Sequence, residues 1–161
     1  MKKLFTKHTL VILLCYLTVI ITLQLVNGWY QNFSDAVHYL WIADQYAEGD
    51  WTNAINTYWG PMISWLLVIL KPLIHEPFVR FRILQIILGF TALVLVNRIL
   101  RKKEIDNKNS LIFTLLLVPL IASFAWFYLT PDLLLSNGIL LLILFYSSDH
   151  QQNLKTVLLA A

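Results

Sequence analysis

Charge and cysteine are both scarce in this sequence. Asp, Glu, Lys and Arg make up 13% of the 161 residues, about half of the ~25% carried by an ordinary soluble domain. Cys15 is the single cysteine and lies inside an apolar run, which excludes disulfide frameworks and cysteine-based metal sites. No internal repeat or low-complexity linker is visible. One sign of charge is missing locally, because the stretch from Asn27 to Gly60 contains no Lys or Arg.

What remains is apolar and aromatic. Hydrophobic residues make up 58% of the chain and the mean hydropathy is +0.67, which points to an integral membrane protein. Five of the six tryptophans and four of the seven tyrosines fall between Trp29 and Trp65. Four acidic residues, Asp35, Asp44, Glu48 and Asp50, share the stretch that lacks basic ones. The net charge of +3 does not imply nucleic acid, since the basic residues cluster at expected membrane boundaries.

Thr9 to Val26 is long enough to span a bilayer and follows Lys2, Lys3 and Lys7. Leu25-Val-Asn-Gly-Trp offers no small-x-small cleavage site, so this run reads as an uncleaved signal anchor. Further spans are expected at 83–100, 111–129 and 133–147. Thr156–Ala161 reads as the start of another, so the expectation is the N-terminal part of a longer protein. Pro61–Leu70 is too short to cross, since ten helical residues reach about 15 Å of a roughly 30 Å core.

Charge counting orients the chain. With Pro61–Leu70 as an interfacial or re-entrant helix, nine basic residues (Lys2, Lys3, Lys7, Arg98, Arg101, Lys102, Lys103, Lys108 and Lys155) are cytoplasmic. Lys71, Arg80 and Arg82 are then outside; a crossing Pro61–Leu70 would split the twelve about evenly. The positive-inside rule favours the first arrangement. It places the N-terminus in the cytoplasm, and 27–82 with the turn Thr130-Pro-Asp132 on the outer face. The fold class expected is all-α, a transmembrane helix bundle whose outer loop holds amphipathic and interfacial helices.

Within that loop, Ser34–Glu48 reads as an amphipathic helix stopped by Gly49. Val37, Leu40, Trp41 and Ala47 form its apolar stripe, while Asp35, His38 and Tyr39 share another face at i, i+3 and i+4. Asp44, nine residues from Asp35, falls about half a turn out of phase. Asp35 has two readings, a helix-dipole partner after a Ser cap or a catalytic carboxylate. His38 reads as an interfacial hydrogen-bonding residue, with no second His or Cys nearby to make a metal site. Thr130-Pro131-Asp132 has the composition of a helix start. Arg80 and Arg82 run against the topology bias, so a specific anion, phosphate above all, competes with lipid headgroups as their partner.

The pattern Asp35-x3-Tyr39-x6-Tyr46-Ala-Glu-Gly-Asp-Trp51, then Tyr58-Trp-Gly-Pro61 and an apolar helix, resembles the first outer loop of the GT-C membrane glycosyltransferases. More narrowly, it is similar to the protein-mannosyltransferase and aminoarabinose-transferase superfamily and its RgtA/B/C/D-like bacterial relatives. Arg80-Phe-Arg82, Arg101-Lys-Lys103 and Thr130-Pro-Asp132-Leu-Leu-Leu135 follow in the family's order over about 130 residues.

The resemblance implies an integral enzyme of the bacterial inner (plasma) membrane. It would move a sugar, with inversion, from a polyprenyl-phosphate donor to a glycan, lipid or protein acceptor on the outer face. Asp35 is then the catalytic base. Asp132, Arg80, Arg82, Tyr39, His38, Tyr58 and Trp59 are then substrate-binding residues, the arginines receiving the phosphate charge. No fixed cofactor is implied. A divalent metal is compatible with the chemistry, but the carboxylate some relatives carry before the loop's Pro is Gly60 here, and the acidic residue many carry after the catalytic Asp is Ala36. Membrane lipids are the remaining expected partner, and nucleic acid is not one. Competing expectations are a non-enzymatic subunit or carrier for lipid-linked intermediates, and an inactive truncated remnant of the transferase.

Overall fold

The structure, a computed structural model, describes residues 7–28, 34–55 and 58–159, and for Ser34 and 148–159 the backbone alone. Expectations resting on Lys2, Lys3, residues 29–33, the Lys155 side chain, Ala160 and Ala161 lie outside the described residues.

Every regular element among the described residues is helical. They are α1 (Lys7–Asn27), α2 (Ser34–Glu48), α3 (Trp51–Ala54), α4 (Pro61–Leu70), α5 (Pro77–Lys102), α6 (Asn107–Phe127) and α7 (Asp132–Leu159). Three helices, α1, α5 and α6, are long and apolar enough to cross a membrane. That is compatible with an integral membrane protein, as the composition suggests.

Local signals account for the boundaries. Gly49 takes φ +80° and ends α2 in a conformation that suits glycine. Pro61 opens α4 and Pro77 opens α5, at positions where a missing N–H costs nothing. The Glu76 carboxylate accepts from Val79 N, so α5 starts six residues before the expected Ile83. Arg80 and Arg82 are therefore inside its first turns. Lys71 keeps helical dihedrals of −55° and −41° despite the following Pro72, although α4 itself stops at Leu70. Helix α7 also departs from expectation, continuing through 147–155 without a break. No Gly or Pro stands between Ser147 and Leu159 to end it.

α5 is the central helix, in contact with α1, α2, α4, α6 and α7. Ile12, Tyr16 and Ile20 form a four-residue-spaced stripe on α1, packed with Leu93, Val118, Ala122 and Trp126. Tyr16 donates to the Ile86 carbonyl at 3.0 Å, and Gly89 leaves the room that this hydroxyl needs. Asn97 Nδ2 reaches Ser110 Oγ at 3.0 Å and Thr114 Oγ1 at 3.1 Å, joining the far end of α5 to the start of α6. Asn137 donates to the Leu88 carbonyl at 2.9 Å, and Lys102 to that of Leu144 at 3.0 Å. These pairings make α6 antiparallel and α7 parallel to α5. The start of α5, the end of α6 and the start of α7 thus meet at one end of the bundle.

α2 and α4 cover that end. Ala36, Tyr39, Leu40 and Ala43 of α2 are buried with Ile63, Leu67, Phe81, Leu84, Leu129 and Leu133. Of the expected apolar stripe only Leu40 is packed, beside Ala36, Tyr39 and Ala43, while Val37, Trp41 and Ala47 are exposed. The small side chains of Ala36 and Ala43 let α2 approach its neighbours closely.

Candidate functional site

Tyr39 is the centre of the site end. The residue is 5% exposed, and its ring is edge-on to Trp59 at 5.0 Å and to Phe81 at 6.2 Å. The Ser64 hydroxyl donates to its carbonyl at 3.1 Å, fastening the first turn of α4 to α2. His38, one residue back and exposed, stacks on Trp59 at 5.1 Å and 16°. Tyr58 meets the same indole edge-on at 4.8 Å. Three residues singled out in the sequence are thereby gathered around a fourth, Trp59.

Two carboxylates bear on the Tyr39 hydroxyl. Its pKa is raised above the ordinary tyrosine value, first by burial, then by the negative charges of Asp35 and Asp132, with a further contribution from Tyr58. Asp35 and Asp132 are 97 positions apart in the chain, so only the fold brings them to the same group. Both are exposed. The Thr130 hydroxyl donates to Asp132 Oδ2 at 2.8 Å, which orients that carboxylate at the start of α7.

Below Tyr39 runs an apolar groove of about 630 Å³ between the first turn of α4 and α7. Pro61, Met62 and Ile63 line one side, and Leu134, Leu135 and Ile139 the other. Gly138, also in the wall, has open space where a side chain would stand. Tyr39 therefore joins the aromatic group at Trp59 to the wall of an apolar trough.

The arginines stand elsewhere. Both are 1% exposed, not at the surface. Arg82 Nη1 donates to the Trp126 carbonyl at 2.5 Å, and its guanidinium lies 4.4 Å from the Trp126 ring centroid. Gln85 Nε2 donates to the Thr130 carbonyl. α5 thus supplies partners to carbonyls in the last turn of α6 and in the segment that follows it. Arg80 faces Asp44, with Nη2 3.6 Å from Oδ1, and Lys71 Nζ approaches the same oxygen at 2.8 Å.

Asp44 lies nine residues beyond Asp35, roughly 13 Å along α2 and half a turn round it. The structure therefore gathers Asp35, His38, Tyr39, Tyr58, Trp59 and Asp132, and leaves Arg80 and Arg82 out of the group. Glu76-Pro77 is the sequence signal that would have placed both arginines inside a helix. Nothing in the sequence pairs Asp44 with Lys71, or Gln85 with Thr130. Among the described residues no three His, Cys, Asp or Glu side chains converge as a metal site. No protein-family model, curated protein or solved structure matches the chain.

Proposed function

We propose that this chain acts in a membrane glycosyltransferase that takes a sugar from a polyprenyl-phosphate carrier on the outer face. The observation that carries this reading is that Tyr39, in the wall of an apolar groove, is subject to the negative charges of both Asp35 and Asp132. A lipid-linked sugar needs both halves of such a site. The groove suits a prenyl chain, and the stacked His38–Trp59 pair with Tyr58 offers flat, partly apolar surfaces to a sugar ring.

In this reading Asp35 accepts the proton of an acceptor hydroxyl as its oxygen attacks the anomeric carbon. The bond from that carbon to the phosphate oxygen breaks with its electron pair, leaving polyprenyl phosphate, and the configuration inverts. The transition state has oxocarbenium character, so the two carboxylates also offset its positive charge. Tyr39, kept protonated by its surroundings, remains a hydrogen-bond donor to the sugar or to a carboxylate. The leaving phosphate is not assigned to Arg80, whose neighbour Asp44 lies roughly 13 Å along α2 from Asp35, nor to Arg82, which is bound to the Trp126 carbonyl.

The test is transfer of radiolabelled sugar from a polyprenyl-phosphate donor in membranes containing the protein. Asp35→Asn should lower the rate by about 10²–10⁴-fold, the usual contribution of a positioned base, with insertion unchanged. Normal transfer by that variant would leave Asp35 as a helix-dipole partner only. Donor binding without transfer in the parent would favour the carrier reading, which the same groove serves.

A further inference from the structure

Arg80 has more unpartnered polar atoms than any other buried residue among those described. Its side chain is 1% exposed, yet Nε, Nη1 and Nη2 all lack a hydrogen-bond partner. Asp44 Oδ1, at 3.6 Å from Nη2, is beyond the 2.7–2.9 Å of a charge-assisted bond. That oxygen is already held by Lys71 Nζ at 2.8 Å. Two cations share one carboxylate, and the more deeply buried is the one left without a bond. A guanidinium stripped of water and given no acceptor calls for an ion or water in contact with it.

The surroundings narrow the choice. Asp44 and Lys71 side chains are each 37% exposed, so the carboxylate that the two cations share is open to solvent. Beside Lys71 in the chain, Ile69 and Leu73 are among the most exposed apolar residues, at 68% and 79%. A group with several anionic oxygens would satisfy the planar fork of Arg80 and the point charge of Lys71 together, and an attached acyl chain would cover the apolar neighbours. We propose that Arg80 and Lys71 bind the phosphate of a membrane lipid, and that Asp44 is the resident carboxylate which this phosphate displaces.

This is a second site, separate from the one at Asp35. The phosphate of a reacting donor must lie within a few ångströms of the anomeric carbon, whereas Asp44 is roughly 13 Å along α2 from Asp35 and on its other side. The inference therefore stands apart from the transferase reading. An occupant here would tie α2, which carries Asp44, to the end of α4 and the first turn of α5.

The experiment uses the whole chain in phosphatidylcholine nanodiscs, with phosphatidic acid added and the bound lipid counted by mass spectrometry of the intact complex. The parent should retain phosphatidic acid in preference to phosphatidylcholine. Lys71→Gln should weaken retention by about tenfold, the scale of one charge-assisted hydrogen bond. Asp44→Asn removes the competing carboxylate and should strengthen it by a similar factor. Should Asp44→Asn fail to fold, the half-exposed Lys71 variant decides alone. Unchanged retention in Lys71→Gln would overturn the proposal, leaving Asp44 and water to satisfy Arg80. Inorganic phosphate binding as tightly as the lipid would overturn the assignment to a lipid.

Discussion

The Arg82 guanidinium covers the indole of Trp126 and donates to the carbonyl of the same residue. One side chain of α5 thereby grips both the ring and the backbone at the end of α6. The guanidinium is well suited to this, being a planar cation that can stack and hydrogen-bond at once. Its role in the structure is to join two helices.

Substitution should show that role. Arg82→Ala removes a charge-assisted bond and a desolvated cation–π contact, and is expected to cost about 2–4 kcal/mol. Arg82→Lys should lose less, since one donor can still reach the carbonyl. Thermal unfolding in detergent checks both. A stable Arg82→Ala protein that has lost only donor binding would return this residue to the phosphate site.

The α1–α5 seam gives a sharper test. A Cβ on Gly89 would collide with the Tyr16 hydroxyl and come within 3.2 Å of the Ala125 side chain. Gly89→Ala should therefore destabilise by about 1–3 kcal/mol through overpacking. Removing the hydroxyl in Gly89→Ala/Tyr16→Phe should recover part of that loss. A double-mutant cycle with no coupling would show that α1 does not pack on α5 in this way.

Tyr39 should titrate above an ordinary tyrosine. In the folded protein its phenol keeps the proton to higher pH than in the unfolded chain, where the ordinary value of 10.0 applies. From that value up to the folded pKa, the folded state therefore binds more protons than the unfolded one. This contribution to stability is full below pH 10 and declines as pH rises through that window. Ultraviolet difference titration against Tyr39→Phe would isolate the group. Asp35→Asn should bring its midpoint down, and an unmoved midpoint would separate Asp35 from Tyr39.

Orientation follows from cysteine labelling in a Cys15→Ser background. Cys introduced at Asn53, exposed just after α2, should react with an impermeant reagent from outside. Cys at Asn107, exposed at the start of α6, should not. Outside labelling at Asn107 would require α4 and its flanks to cross the membrane.

The sequence by itself determined the helices. Long uncharged runs, Gly49, Pro61 and Pro77 are local signals, and local chemistry is enough to start or stop a helix. The breaks in hydropathy marked α1, α5 and α6 as elements able to cross a bilayer, and the aromatic, acidic stretch singled out one end of the molecule. What faces what was decided by the tertiary structure. Ala36, Tyr39, Leu40 and Ala43, not Val37 and Trp41, became the face of α2 packed on α4 and α5. Asp35 met Asp132 through Tyr39, while Asp44 went to Lys71 and Arg80. Residues far apart in the chain can be judged as one site only after packing sets their distances, and a guanidinium's partners depend on which carbonyls and carboxylates that packing brings within reach.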